Sequence, residues 1–465
     1  MRQENIIMKR WNAKCGYGEA LKIGMPLVIS MASATIMMFT DRVFLGRYSI
    51  DALAASFPAG MTNFLFFSFF LGTLEYVSVF VAQYTGAMRH ERVGAAVWQG
   101  IYFCIPAVAI MVLLGVYSHE LFNLVGHDPA IRKLEADYFS IVCYGSVFGL
   151  TAVAFSCFYS GRGITKPVMF VNIFAAVANI PLDYMMINGI GPFPEMGIKG
   201  AAWATVMGGA VNCLLLGKMV FTNKHNRKYG IFTNWKFDRG LFIRFLKYGL
   251  PGGIQFFLDM FAISFFGFMV GQFSKAELAA TNIAISIDTL VILPVVGLSI
   301  ATSIMVGQAI GSGERHRARF AVNSVMHMAL LYMAVIAVIL VFIPGPLLKL
   351  FHTTGMSEAE FGPIVGMGAV FLRYVAAYTL VVAAVNAWVG GLKGAGDTRF
   401  IMIAMGSLAA MVMVVPMLLV YRYTDLGIHG PWACLLAYGL TMGLVFRLRF
   451  KGSSWLRHRV IESRS

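Results

Sequence analysis

The sequence predicts an all-α polytopic membrane protein, with twelve transmembrane helices in two six-helix lobes related by a pseudo-two-fold axis along the membrane normal. Three observations lead there. Composition is the first: 58% of the residues are hydrophobic and 13% charged, with a mean hydropathy of +0.73, whereas soluble domains carry about 25% charged residues. The second is punctuation, because twelve apolar runs long enough to cross a bilayer alternate with short polar loops. The third is a repeat that relates the two halves of the chain.

The first run, 23–46, carries Pro26 near its start and Asp41 near its end. At ~1.5 Å per residue a helix from Lys22 to Gly46 is about 36 Å long, enough to span the hydrocarbon with some tilt. The others fall at 53–85, 94–117, 136–159, 165–188, 200–222, 245–272, 278–310, 320–344, 369–390, 400–421 and 429–448. The expected organisation is a lead at 1–22, a six-helix lobe at 23–222, a polar and basic linker at 223–244, a second lobe at 245–448 and a tail at 449–465. The first run is longer than a signal-peptide core and follows a charged lead, so it is expected to be retained. Of the six cysteines only Cys15 lies outside the apolar runs, and neither a disulfide framework nor a metal-binding spacing is visible.

The net charge of +15 does not point to nucleic acid, because the basic residues sit in short loops between spans and there set topology. With the N-terminus inside, 28 of the 37 Lys and Arg residues fall on that side; the other nine are Arg42, Arg47, Arg132, Lys133, Lys199, Lys275, Lys349, Arg373 and Arg422. The positive-inside rule therefore puts both termini in the cytoplasm, and a multi-pass protein of the cell inner membrane is the expectation.

An offset of 225 superimposes Pro26 on Pro251, Gly46 on Gly271, Leu53 to Ala55 on Leu278 to Ala280, Gly72 on Gly297 and Gln83 on Gln308. Later the offset becomes 233, pairing Gly161, Gly163 and Thr165 with Gly394, Gly396 and Thr398, and then 230, pairing Gly197, Ile198 and Gly200 with Gly427, Ile428 and Gly430. Each repeat has an even number of spans, so both enter from the same side. Two lobes around a central cavity that opens alternately to each side follow from this arrangement.

These residues resemble a known family. The stretch VFLGRYSIDALAA after Asp41, NIPLDYMMINGIGPFPEMGIKGAAWAT at 179–205, LAATNIAISI at 278–287, SIATSIMVGQAIGSGERHRAR at 299–319 and GGLKGAGDTR at 390–399 are similar to multidrug and toxic compound extrusion (MATE) transporters over about 18–450. The resemblance implies a monomeric secondary antiporter in membrane lipid that expels organic, mostly cationic compounds such as drugs, dyes and metabolites. It implies exchange for H+ or Na+, and no cofactor. A flippase for lipid-linked oligosaccharides shares the architecture but would want several basic residues in its spans, and an exporter of one metabolite is the other alternative. The chain carries no DDxxD, HExxH or comparable motif, so it is not read as an enzyme.

Asn172, Asn179 and Asp183 are spaced to share one helical face. Asp183 follows Lys166, and Asp41 follows Lys22, by runs of ~25 to 29 Å, which puts both acids at one depth toward the outer leaflet. Two carboxylates, the Asn179 amide and Thr205 would make a hard oxygen cage for Na+, or the acids would share a proton; similarity to the family supports this coupling role for Asp41, Asn179, Asp183 and Thr205. The alternatives are a structural hydrogen-bond cluster, and for Asp41 a place at the helix end beside Arg42. Pro26 and Pro251 permit a kink early in the first helix of each half and are candidate hinges. In the second half Phe266 replaces Asp41, while Asp259 and Asp288 stand where the first half has Ala34 and Asn63. Asp259 resembles a seventh-helix acid of one branch of the family, but Val382 stands near that branch's tenth-helix acid. Asp259 and Asp288 lie near the midplane, as a cavity or second coupling site or as a pair sharing one proton, and Glu75 is a candidate lining or gating acid or a helix-packing one.

Overall fold

The computed structural model describes residues 8–124, 128–352 and 358–462. Among them twelve helices are long and apolar enough to cross a membrane. They are α1 Tyr17–Tyr48, α2 Ile50–Gly86, α3 Glu91–Val116, α4 Pro129–Ser160, α5 Lys166–Asn188, α6 Ile198–Val220, α7 Arg239–Val270, α8 Lys275–Gly311, α9 Arg315–Phe342, α10 Glu358–Ala395, α11 Thr398–Tyr423 and α12 His429–Lys451. Every expected span is a helix.

The ends are where sequence and structure part. Helix α1 starts six residues before the apolar run at 23, α7 six before 245, and α10 eleven before 369. Once a helix is nucleated, each further residue adds a backbone hydrogen bond whatever its side chain, so hydropathy marks the hydrocarbon and not the helix. Side-chain chemistry fixes other ends. Ser49 starts α2 by accepting from the Ala52 amide, Asp128 starts α4 by accepting from Ala130 with Pro129 at the first turn, and Gly189 ends α5 at φ 70°. The linker holds a short helix, Asn223–Tyr229, between Thr222, whose hydroxyl accepts from the His225 amide, and Gly230 at φ 65°.

Two irregularities have no counterpart in the hydropathy pattern. Helix α2 breaks at Glu75 and Tyr76 into Ile50–Leu74 and Val77–Gly86. Helix α11 contains a π-helical segment, Ala409–Val414, just before Pro416, where the missing amide proton favours a shifted register. By contrast, α1 and α7 run without interruption through Pro26 and Pro251.

Contacts divide the chain into two compact units, one of residues 1–25, 258–310 and 314–459, the other of 26–257, 311–313 and 460–465. In the second of these, α2, α3 and the start of α7 meet around Phe245, whose ring lies 5.6 Å from Phe103 and 6.5 Å from Phe80. In the first, Trp432 stacks on Phe371 at 5.0 Å and gives its indole N–H to Thr281. Phe266, the counterpart of Asp41, packs edge-on against that same Trp432 at 5.4 Å, so the repeat spends this position on core packing in the second half.

The repeat is visible inside each unit. A side chain at Gly161 would strike the Ser78 carbonyl, and one at Gly394 the Ser303 carbonyl; the same offsets of 233 and 225 relate the two pairs. Likewise Gly249 of α7 sits against Thr73 of α2 in one unit, and Gly24 of α1 against Leu298 of α8 in the other. These contacts explain why the first turns of α1 and α7 each belong with the opposite half of the sequence.

Candidate functional site

In the unit spanning 26–257, Asp41 comes from near the end of α1, Asn179 and Asp183 from successive turns of α5, and Thr205 from α6. The helix period places the α5 pair on one face, and both side chains are fully buried. The Asp183 carboxylate senses that of Asp41, and the Tyr138 hydroxyl of α4 lies near both acids and within hydrogen-bonding reach of Thr205. Asn179 packs over Gly208 of α6, where a Cβ would stand 3.3 Å from the Asn179 Cβ. Four helices thus converge on one polar spot.

α1 is held there by its flanks. Phe44 meets Tyr184 of α5 at 5.4 Å, and the Tyr48 hydroxyl donates to Glu195 Oε1 at 2.9 Å. The Arg42 guanidinium lies over the Phe57 ring at 5.1 Å, which draws the neighbouring cation toward α2.

The chemistry of the spot is set by what its atoms lack. Among the described residues, Asp41 Oδ1, both oxygens of Asp183 and both polar atoms of Asn179 are buried with no hydrogen-bond partner. Burying such groups unpaired costs several kcal/mol, and a proton on a carboxyl, a small cation or a bound water would each relieve part of that cost. No group of three or more His, Cys, Asp or Glu that could hold a metal ion occurs among the described residues; the side chains here are two carboxylates, an amide and a hydroxyl, whose oxygens are hard donors.

The other candidates lie elsewhere. Asn172, on the same face of α5, accepts from Asn212 of α6 at 2.7 Å, a cross-link of those two helices. In the second unit Asp288 of α8 accepts from the Tyr378 hydroxyl of α10 at 3.0 Å, and Asp259 of α7 is a neighbour of Tyr438 of α12. Glu75 sits at the break in α2 with an exposed side chain, and its carbonyl accepts from the Ser78 hydroxyl at 2.6 Å. Pro26 and Pro251 are buried within continuous helices, and the division into units falls between Met25 and Pro26.

Tyr138 and Tyr378 were missed by sequence reasoning. Tyr138 stands at the edge of its apolar run, where aromatic residues are common anchors, and Tyr378 follows two alanines in an apolar run. Only the fold brings them to carboxylates.

The sequence model of the family described as MatE matches residues 26–185 and 251–419. The chain is 27% identical over 433 residues to the probable multidrug resistance protein NorM of Rhodopseudomonas palustris, covering 92% of this chain and 89% of that one. It is 27% identical over 392 residues to the multidrug resistance protein PmpM of Pseudomonas aeruginosa, covering 83% and 80%. In structure it is similar to a multidrug resistance MATE family transporter of the MOP superfamily in an outward-facing conformation. The TM-score is 0.81, at 18% identity over 97% of this chain and 98% of that one.

Proposed function

The chain belongs to the MATE family of membrane transporters, and from that premise we propose that it is a secondary antiporter exporting small organic, mostly cationic compounds in exchange for H+ or Na+. It is a transporter and not an enzyme, embedded in a membrane by its twelve helices. Its relatives NorM and PmpM are named for multidrug resistance, which supports an efflux role. The cell inner membrane, cytoplasmic termini and a monomer complete the proposal, the orientation of the termini supported by the asymmetry of Lys and Arg between loops.

Asp41, Asn179, Asp183 and Thr205 are the proposed coupling site, and the observation that carries it is the set of buried, unpartnered oxygens on Asp41 and Asp183. In this scheme the acids take a proton or Na+ from outside, α1 reorganises about Pro26, drug leaves outward, and loss of the ion to the cytoplasm resets the protein. Differential affinity of the ion for the two states must drive the cycle. Asp259, Asp288 and Glu75 are proposed as cavity or second coupling acids, and Pro251 as the hinge of α7.

Ethidium efflux from proteoliposomes under separately imposed Na+ and proton gradients tests this. Asp41→Asn should abolish gradient-driven efflux while the protein stays folded; an undiminished rate in that variant discards the scheme. Efflux with the proton gradient alone assigns the acids to proton transfer, and efflux with Na+ alone makes the cage a metal-ion site.

A further inference from the structure

The end of the described chain is bound as a ligand is bound. After α12 a short 3₁₀ turn, Ser453–Arg457, leads to residues 460–462, which belong to the unit spanning 26–257. There Val460 and Ile461 are 1% and 4% exposed and join the core cluster that holds Leu241 and Phe245. The Val460 amide donates to Gln83 Oε1 at 3.0 Å.

Glu462 then enters a basic site formed by three arginines from three stretches of that unit. Its carboxylate lies 2.8 Å from Arg244 of α7 and 3.4 Å from both Arg89, between α2 and α3, and Arg92 of α3. The Tyr84 hydroxyl donates to Glu462 Oε2 at 2.9 Å, and Arg89 donates to the Glu462 carbonyl at 3.2 Å. Asp238 takes a second bond from Arg92 at 2.9 Å, so three cations face two acids and the site remains attractive to an anion.

A surface ion pair alone is worth little, but this one is anchored by two buried side chains and a backbone hydrogen bond. Fixing 460–462 also holds the segment that leaves α12, because Val460 follows the 3₁₀ turn Ser453–Arg457 directly after His458 and Arg459.

We propose that Arg89, Arg92 and Arg244, with Tyr84 and Gln83, form a docking site whose occupant is this chain's own segment 460–462, and that its release paces turnover. No part of the coupling site takes part in it. It goes beyond the efflux reading, and its primary readout does not depend on transport.

Hydrogen–deuterium exchange of the peptide covering 453–462 is compared in the full-length wild type, Glu462→Gln, Glu462→Arg and Arg244→Gln. Dye efflux is followed in the same proteins. The expected result is at least a tenfold rise in tail exchange for both Glu462 variants, about the effect of losing charge-assisted contacts worth a factor of ten in equilibrium, with a rise in the same direction in Arg244→Gln. Efflux in Glu462→Gln should rise at least twofold. Unchanged tail exchange in Glu462→Arg, or in Arg244→Gln, overturns the docking site. A loosened tail with unchanged or slower efflux overturns its pacing role, while absence of efflux from the wild type itself would count against the transport reading and leave the exchange result to decide the docking.

Discussion

A tyrosine hydroxyl that pairs with a neighbouring hydroxyl beside two buried acids helps hold the polar cluster in place, and its removal loosens that cluster. Tyr138 occupies this place next to Asp41, Asp183 and Thr205. Its ring is nearly enclosed, at 9% exposure, so Tyr138→Phe keeps the packing and deletes one oxygen. A neutral hydrogen bond such as that with Thr205 is worth about 0.5–1.5 kcal/mol, so the coupling-ion concentration for half-maximal efflux should shift by about two- to tenfold with the maximal rate largely kept. An unaltered ion dependence in this variant would assign Tyr138 to packing alone. Asn172 makes the useful contrast: it shares the α5 face with Asn179 yet is satisfied by Asn212, so Asn172→Leu should act on stability and leave ion dependence alone.

At the scale of elements, the twelve helices were legible because bilayer thickness imposes one length and charge ends each run. Helix ends were not, since Arg239 to Arg244 and Glu358 to Gly368 are helical without being apolar as a group. The break at Glu75 and the π segment before Pro416 depend on what lies opposite them and left no trace in hydropathy. The depth of Asp41 and Asp183 could be counted from Lys22 and Lys166, and the fold joins them. Tail docking could not be read at all, because Glu462 is 218 positions from Arg244 and 373 from Arg89 and no local pattern links them. The docked element also has a definite pH behaviour. Burial works to raise the Glu462 carboxyl, but a backbone hydrogen bond, the Tyr84 hydroxyl, Arg244 and Arg92 outweigh it, and the group is held below its usual range. Asp238 is lowered too: burial opposes this, but the Leu241 amide and Arg92 outweigh it. A depressed acid contributes stability above its unfolded pKa of about 4.3 and loses it as pH falls through the lower folded value. Tail protection, corrected for intrinsic exchange, should therefore stay flat between pH 6 and 8; loosening within that window would mean that a different group controls docking.

The whole molecule is a duplication whose halves have kept their packing and divided their chemistry. Ser78 and Ser303 receive Gly161 and Gly394 in equivalent places, whereas Asp41 faces its polar cluster and Phe266 fills a core beside Trp432. Close helix contact is kept in both halves alike, while the position of Asp41 serves packing in the second. Equivalence of packing is measurable. A Cβ at Gly161 would run into the Ser78 carbonyl and the Val81 side chain, and one at Gly394 into the Ser303 backbone; backbone cannot swing aside as a flexible side chain does, so a helix must shift. Overpacking of this kind costs about 1–3 kcal/mol, and a leucine should exceed what an alanine does at either site. Thermal unfolding in detergent should show Gly161→Leu and Gly394→Leu lowering the midpoint by similar amounts. The double variant should be close to additive because the sites lie in separate units and press on different residues, Ser78 and Val81 for one and Ser303 for the other. A neutral Gly394→Leu beside a damaging Gly161→Leu would mean that the second half has relaxed the contact as well as the chemistry, and the duplication would then survive in sequence register more than in mechanical role.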